Sequence, residues 1–343
     1  TSGVFKFRST ASGTVPTDED LFHTLTYGLS GSGMPDWSHL DETVRWQLVS
    51  YLKTLSPRFE TTPPQPIAIG TDPGPKQADL TRGKQIYEQL GCAACHGASG
   101  RANGSSAAGL VDEWGNPTRP TDLTQGWTYR WGSDPRAIVE RVLTGIDGAP
   151  MPSYVEAATP EDVWRLAYYV RSLQQEPRWA MIIRAAHVEG PLPESPDDPR
   201  WHQAEPADVR LRNVVNIGGE MTAPQTVSAV SFRTVYNQEA ISFRLSWHDP
   251  SEDRTDAGDA AALVLRPTHV RGDTVTLQIW PLRDSSPLDL CLWSAARQQA
   301  HEAIINSYDP LLEGRAQHAA LLASRATYHD GAWTLVLTRP RIP

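Results

Sequence analysis

Cys92-Ala93-Ala94-Cys95-His96 spells C-x-x-C-H, the spacing by which two thiols attach a haem through its vinyl groups. Two intervening residues let both sulfurs reach one porphyrin edge. The adjacent imidazole then faces the iron as a proximal ligand. A redox dithiol and a zinc site share the C-x-x-C core. Zinc needs two further Cys or His ligands, and none stands close in sequence; the third thiol, Cys291, is remote.

Downstream, Gly148-Ala149-Pro150-Met151-Pro152-Ser153-Tyr154 sets a methionine in a Pro-flanked loop ahead of an amphipathic helix. Together the two stretches resemble class I cytochrome c, over about 95 residues. The resemblance implies helices around one covalent haem c, joined to Cys92 and Cys95, with His96 and Met151 as axial ligands. Trp127, Tyr129 and Arg130 fall where aromatic and Arg groups either bond haem propionates or pack in the core. A thioether favours Fe(II) and raises the potential. With both axial positions filled there is no open site for a substrate, so the resemblance implies an electron carrier rather than an enzyme. A labile Met–iron bond would instead allow peroxidase-like chemistry.

Helical periodicity frames this motif. Leu80 to Leu90 precedes it, with Gly83, Ile86, Tyr87 and Leu90 on one face. Pro135 to Gly145 carries Ile138, Val139, Val142 and Leu143 inward. Thr159-Pro160-Glu161-Asp162 caps the last helix, with proline at the first helical position, and Val163, Leu166, Ala167 and Val170 form its stripe.

The same pattern occurs earlier. Thr17-Asp18-Glu19-Asp20 opens a helix that ends near Gly28, Met34-Pro35 follows, and a second helix runs from about Asp41 to Leu55. An offset of 117 lays Leu21 on Ile138, Gly28 on Gly145, Met34 on Met151 and Trp37 on Tyr154; one more residue lays Trp46 on Trp164 and Tyr51 on Tyr169. Two c-type domains are therefore expected. The first copy has no C-x-x-C-H of its own. The repeat puts the matching site roughly 30 residues before Thr1, so an N-terminally incomplete version of a longer protein is expected, with Met34 the ligand of a second haem anchored outside this chain. A remnant holding no haem is the alternative.

The expected divisions are 1–60, the C-terminal part of a cytochrome c domain; 61–79, a Pro-rich linker in extended, semi-rigid conformation; 80–176, a complete cytochrome c domain; and 177–343. In the last, periodicity changes from 3.6 to 2. Candidate strands are Val209–Val215, Val227–Tyr236, Ala240–Trp247, Ala261–Leu265, Thr274–Trp280, Leu288–Trp293 and Trp333–Thr338, with Leu311–Ser324 a helix or irregular excursion. The fold class is thus multidomain: all-α cytochrome c domains followed by an antiparallel β-sandwich.

Ala240-Ile241-Ser242-Phe243-Arg244-Leu245-Ser246-Trp247-His248-Asp249-Pro250, Asp259 to Leu265, and Leu288 to Trp293 resemble the ethylbenzene-dehydrogenase-type haem-binding domain, a sandwich found as a subunit of respiratory molybdenum enzymes. That family holds a haem b between a Met and a Lys. Here no Lys follows Lys84, and Met181 and Met221 both precede the ligand position. Haem b is therefore not expected, although His202, His248, His269, His301, His318 or His329 would be substitutes. A docking module is expected instead, continuing past Pro343.

Net charge is −9, which argues against nucleic acid and anionic membrane surfaces. No apolar run approaches the ~20 residues of a membrane helix. Haem attachment takes place outside the cytoplasm, so a periplasmic or extracytoplasmic protein is expected, held at a membrane through its partners. Those partners are other redox subunits or soluble electron carriers. A structural subunit of a larger redox complex is a third reading.

Overall fold

The computed structural model describes residues 3–30, 32–75, 79–211, 227–255, 258–265, 288–305 and 323–340. The chain divides into two compact units, Thr1–Glu176 and Pro177–Pro343.

In the first unit, helices start where polar side chains catch the leading amides. Thr17 accepts from the Asp20 amide while Asp20 accepts from that of Thr17, a capping box for α1 (Asp18–Tyr27). Helix α2 covers Glu42–Thr54 and a single turn, α3, Arg58–Thr61. Asp79 caps α4 (Leu80–Gln89), and α5 is Cys92–His96. Asp134 and Thr159 cap α6 (Pro135–Thr144) and α7 (Pro160–Leu173), each with proline in its first turn.

Helices α4, α6 and α7 close on one core in which Tyr87, Val139, Leu143, Val163, Leu166 and Ala167 are buried. Gly83 decides how closely α4 approaches α7. A Cβ there would collide with the Arg165 carbonyl oxygen and stand 2.8 Å from Tyr169 Cβ. One turn on, Tyr87 and Tyr169 meet edge-on at 5.6 Å. Gly83→Ala is expected to push α4 off α7 at a cost of about 2–3 kcal/mol. The check is the midpoint of chemical denaturation, and an unchanged midpoint would show that the helices part freely.

Helices α1 and α2 build a smaller core from Leu21, Leu25 and Val49, flanked by Phe5, Phe22, Met34, Trp37 and Trp46. The segment before α1 binds it to the loop after α6. Arg8, fully buried, pairs with Asp147 at 2.8 Å and donates to the Thr144 carbonyl. Asp147 also accepts from Ser12 Oγ and the Gly13 amide. Beyond α3, residues 62–75 form no helix or strand and are pinned to their surroundings. Ala11 and Gln65 share a backbone bond, Ile67 and Ile69 pack on the larger core, and Trp164 Nε1 donates to Ile69 O at 2.7 Å.

The second unit holds β1 (Ala185–His187), β2 (Ala207–Arg210), β3 (Ala229–Tyr236), β4 (Ala240–His248), β5 (Ala260–Leu265), β6 (Leu288–Ser294), β7 (Gln299–Ile305), β8 (Ala323–His329) and β9 (Ala332–Pro340). A six-stranded sheet runs β1-β3-β4-β9-β8, with β2 also on β3; a three-stranded sheet runs β5-β6-β7. All pairs are antiparallel except β1 with β3, so the larger sheet is mixed. One apolar cluster draws on both sheets, and in it Trp247, Trp293 and Trp333 lie 5.0 to 6.4 Å apart. The expected strand Thr274–Trp280 and the excursion beginning at Leu311 lie outside the described residues, as do His269 and His318; Ser324, at the end of that excursion, belongs to β8.

Candidate haem site

Five residues are too few to hold a helix by their own propensity. The polar loop after α5 does it instead, folding back to satisfy the carbonyls at the helix end. Ser106, Gly104 and Ala102 donate their amides to Ala94, Cys95 and His96, at 2.8, 3.2 and 2.9 Å. Gly104 permits the approach, since a Cβ there would fall 2.5 Å from the Ala94 carbonyl carbon. Tyr87 joins α4 to the motif by donating its hydroxyl to Gly97 O at 2.6 Å.

His96 Nδ1 lies 2.9 Å from Thr121 O. A carbonyl only accepts, so Nδ1 carries the proton and Nε2 keeps its lone pair. Burial pushes the imidazole pKa down, against the Thr121 carbonyl and Asp122. That shift favours the neutral ring, the form a metal ligand needs. Burial pushes the Cys92 thiol up to about 11. Reactive redox C-x-x-C thiols are shifted the other way, so this motif is not poised for disulfide exchange. Among the described residues no three His, Cys, Asp or Glu side chains gather as a metal cluster.

Met151 and Cys92 both pack on the core of α4, α6 and α7. Tyr154, three residues beyond Met151, lies close enough to both thiols for Cys92 and Cys95 to add to the rise that burial gives its hydroxyl pKa. The methionine loop and the C-x-x-C-H helix are thus both set against one core. The loop is fixed by Ile146 N to Met151 O at 3.0 Å and Tyr154 N to Val142 O at 3.1 Å. Gly145, at φ +65°, lets it pass, because a Cβ there would sit 2.6 Å from Ser153 N.

The earlier loop repeats this geometry at the same offset of 117. Leu29 N bonds Met34 O at 3.0 Å, and Trp37 N bonds Leu25 O at 2.9 Å. Gly28 has φ +64° and ψ −165°, against +65° and −166° at Gly145.

Of the remaining candidates, Tyr129 shares the core on which Cys92 and Met151 pack. Trp127 is in a 3-10 turn, Gly126–Thr128, and its carbonyl accepts from Ser30 Oγ. Tyr129 packs on the core and donates to Leu123 O at 2.9 Å. Arg130 is exposed. Tyr87, Thr121 and Tyr154 act at the site without having been singled out for it; their only sequence signal was their spacing from the motif and from Met151.

The family model for cytochrome c matches residues 80–174, the stretch that carries this helix and this loop. Residues 80–174 form a cytochrome c domain. The haem c that this family binds covalently fits the residues present: two thiols on one helical turn, an oriented neutral imidazole and a methionine loop on the same core. The chain is also similar to known proteins beyond the family model. The cbb3-type cytochrome c oxidase subunit FixP of Sinorhizobium medicae (strain WSM419) is 28% identical over 123 residues, 34% of this chain and 37% of the relative. The chain thus spans little more than a third of that curated relative's length. In a solved structure of the Kuenenia stuttgartiensis reducing HAO-like protein complex, one chain is 40% identical across 51% of this chain and 80% of its own, with a TM-score of 0.48.

Proposed function

We propose that this chain is an exported electron-transfer cytochrome working as a subunit of a redox complex. Cys92 and Cys95 would hold the haem c by thioether bonds, with His96 and Met151 as its axial ligands. The observation that carries this reading is that the C-x-x-C-H helix and the Met151 loop pack against one core, on which Cys92, Met151 and Tyr154 all lie. When bound, the haem supplies a one-electron Fe(III)/Fe(II) couple. His96 is oriented by Thr121 O, and Met151 is presented by a loop that Gly145 lets close. The buried faces of α4, α6 and α7 exclude water. The relation to a cbb3-oxidase subunit supports a respiratory setting outside the cytoplasm.

The duplicated loop geometry supports reading 1–60 as part of a second cytochrome c domain with Met34 as a haem ligand, 61–79 as the connection and 80–176 as the complete domain. The shared tryptophan cluster of the two sheets supports a β-sandwich in 177–343, acting as a docking module without haem b. The test is a pyridine haemochrome spectrum of the purified chain with its haem-to-protein ratio. One c-type haem per chain and no b-type band are expected, with a low-spin iron spectrum. A b-type band would overturn the docking reading, and a high-spin spectrum would overturn the His/Met carrier.

A further inference from the structure

The larger sheet sets Arg233 of β3 directly opposite Arg244 of β4. Like charges so placed repel one another and destabilise the pairing. Both arginines stand on the sheet face turned away from the tryptophan core. A segment from Val188 to Ala204 roofs that face, packing Leu192 and Trp201 against Val235 and Val336. There a half-open cavity of about 260 Å³ is lined by Asp197, Trp201, His202 and the two arginines, among others.

Among the described residues, the hydrogen bonds of these arginines go to carbonyl oxygens alone. Arg233 Nη1 donates to Trp201 O and Ala204 O, at 3.1 and 2.7 Å. Arg244 Nε donates to Pro196 O at 2.7 Å. Carbonyl oxygens take up the hydrogens but carry no net charge. Among the described residues, no other protein bond engages the terminal nitrogens of Arg244. Nearby acids do not close the balance. Asp198 is fully engaged by Arg200, which grips it at 2.6 and 2.9 Å, and Asp197 is exposed. Burial and the field of Arg233 both lower the Arg244 pKa, while Asp197 only partly opposes them.

We propose that this cavity binds a small oxyanion, such as phosphate, sulfate or a short dicarboxylate, between Arg233 and Arg244. Guanidinium forks engage such groups through paired hydrogen bonds. The cavity lies below the usual span of drug-sized pockets, about 300–1,000 Å³, which favours a small anion over a nucleotide. The bound anion would neutralise the arginine pair and fasten the roof to the sheet, so occupancy should raise stability.

The experiment is isothermal titration of the full holoprotein with inorganic phosphate, sulfate and succinate, each against chloride at matched ionic strength, with thermal unfolding in parallel. Saturable 1:1 binding of at least one anion is expected, with a raised melting temperature. Arg244→Gln should weaken it about tenfold or more. Asp197→Asn, which removes an exposed competing carboxylate, should tighten it about two- to threefold. Should Arg244→Gln fail to fold, Arg244→Lys keeps the charge, loses the fork and is expected to weaken binding as well. No saturable binding of the three anions, equal affinity in the Arg244 variant, or an unchanged affinity in Asp197→Asn would overturn the proposal.

Discussion

Met151→Ala is expected to lower the midpoint potential of the haem by on the order of 0.1 V or more, and to change its iron from low-spin to high-spin. Thioether sulfur is a weak donor to Fe(III), so its loss stabilises the oxidised state. Alanine has no side-chain donor to replace it. Collapse of the loop is not the cause, because the loop is held by backbone groups that the substitution spares: Ile146 N to Met151 O, and Tyr154 N to Val142 O. The measurement is a spectroelectrochemical titration. An unchanged potential with a low-spin spectrum would remove Met151 from the ligand set. Where a second haem is bound at Met34, Met34→Ala should move only that haem's potential.

The helical unit was legible because its constraints are local. Caps, prolines at first turns and apolar spacing marked α1, α2, α4, α6 and α7 to within a residue or two. The offset of 117 between Met34 and Met151 already implied matching loops, and the near-identical dihedrals of Gly28 and Gly145 are its structural counterpart. Helix α5 was not legible, since it owes its turn to amides of the following loop, which no periodicity records. Strand β1 was missed because three residues in a parallel pair leave no alternation to read. In β7 and β8, Gln299-Ala300-His301-Glu302 and Ser324-Arg325-Ala326-Thr327 are small or polar, so their partners and not their composition make them strands. The linker's proline content predicted extension, but its attachment depends on Trp164, nearly a hundred positions away. Trp127, Tyr129 and Arg130 lie within four positions, yet Tyr129 packs on the core while Arg130 is exposed.

Replacing both Cys92 and Cys95 with serine is expected to abolish haem staining on a denaturing gel, while Cys92→Ser alone leaves a reduced signal through the remaining thioether. The double variant separates covalent attachment from ligation. His96 keeps its orientation, because Thr121 O is untouched, and Met151 keeps its loop bonds. In the native state the double variant should therefore still bind haem, low-spin but extractable by acidified organic solvent. Its stability should also become dependent on haem concentration, because binding now adds to folding only by mass action. Full-strength staining of the double variant would contradict the attachment assignment. A redox dithiol would behave differently at each step: Cys92→Ser alone would eliminate the disulfide, and neither form would stain. The raised Cys92 pKa of about 11 already disfavours that chemistry, since attack on a disulfide needs the thiolate.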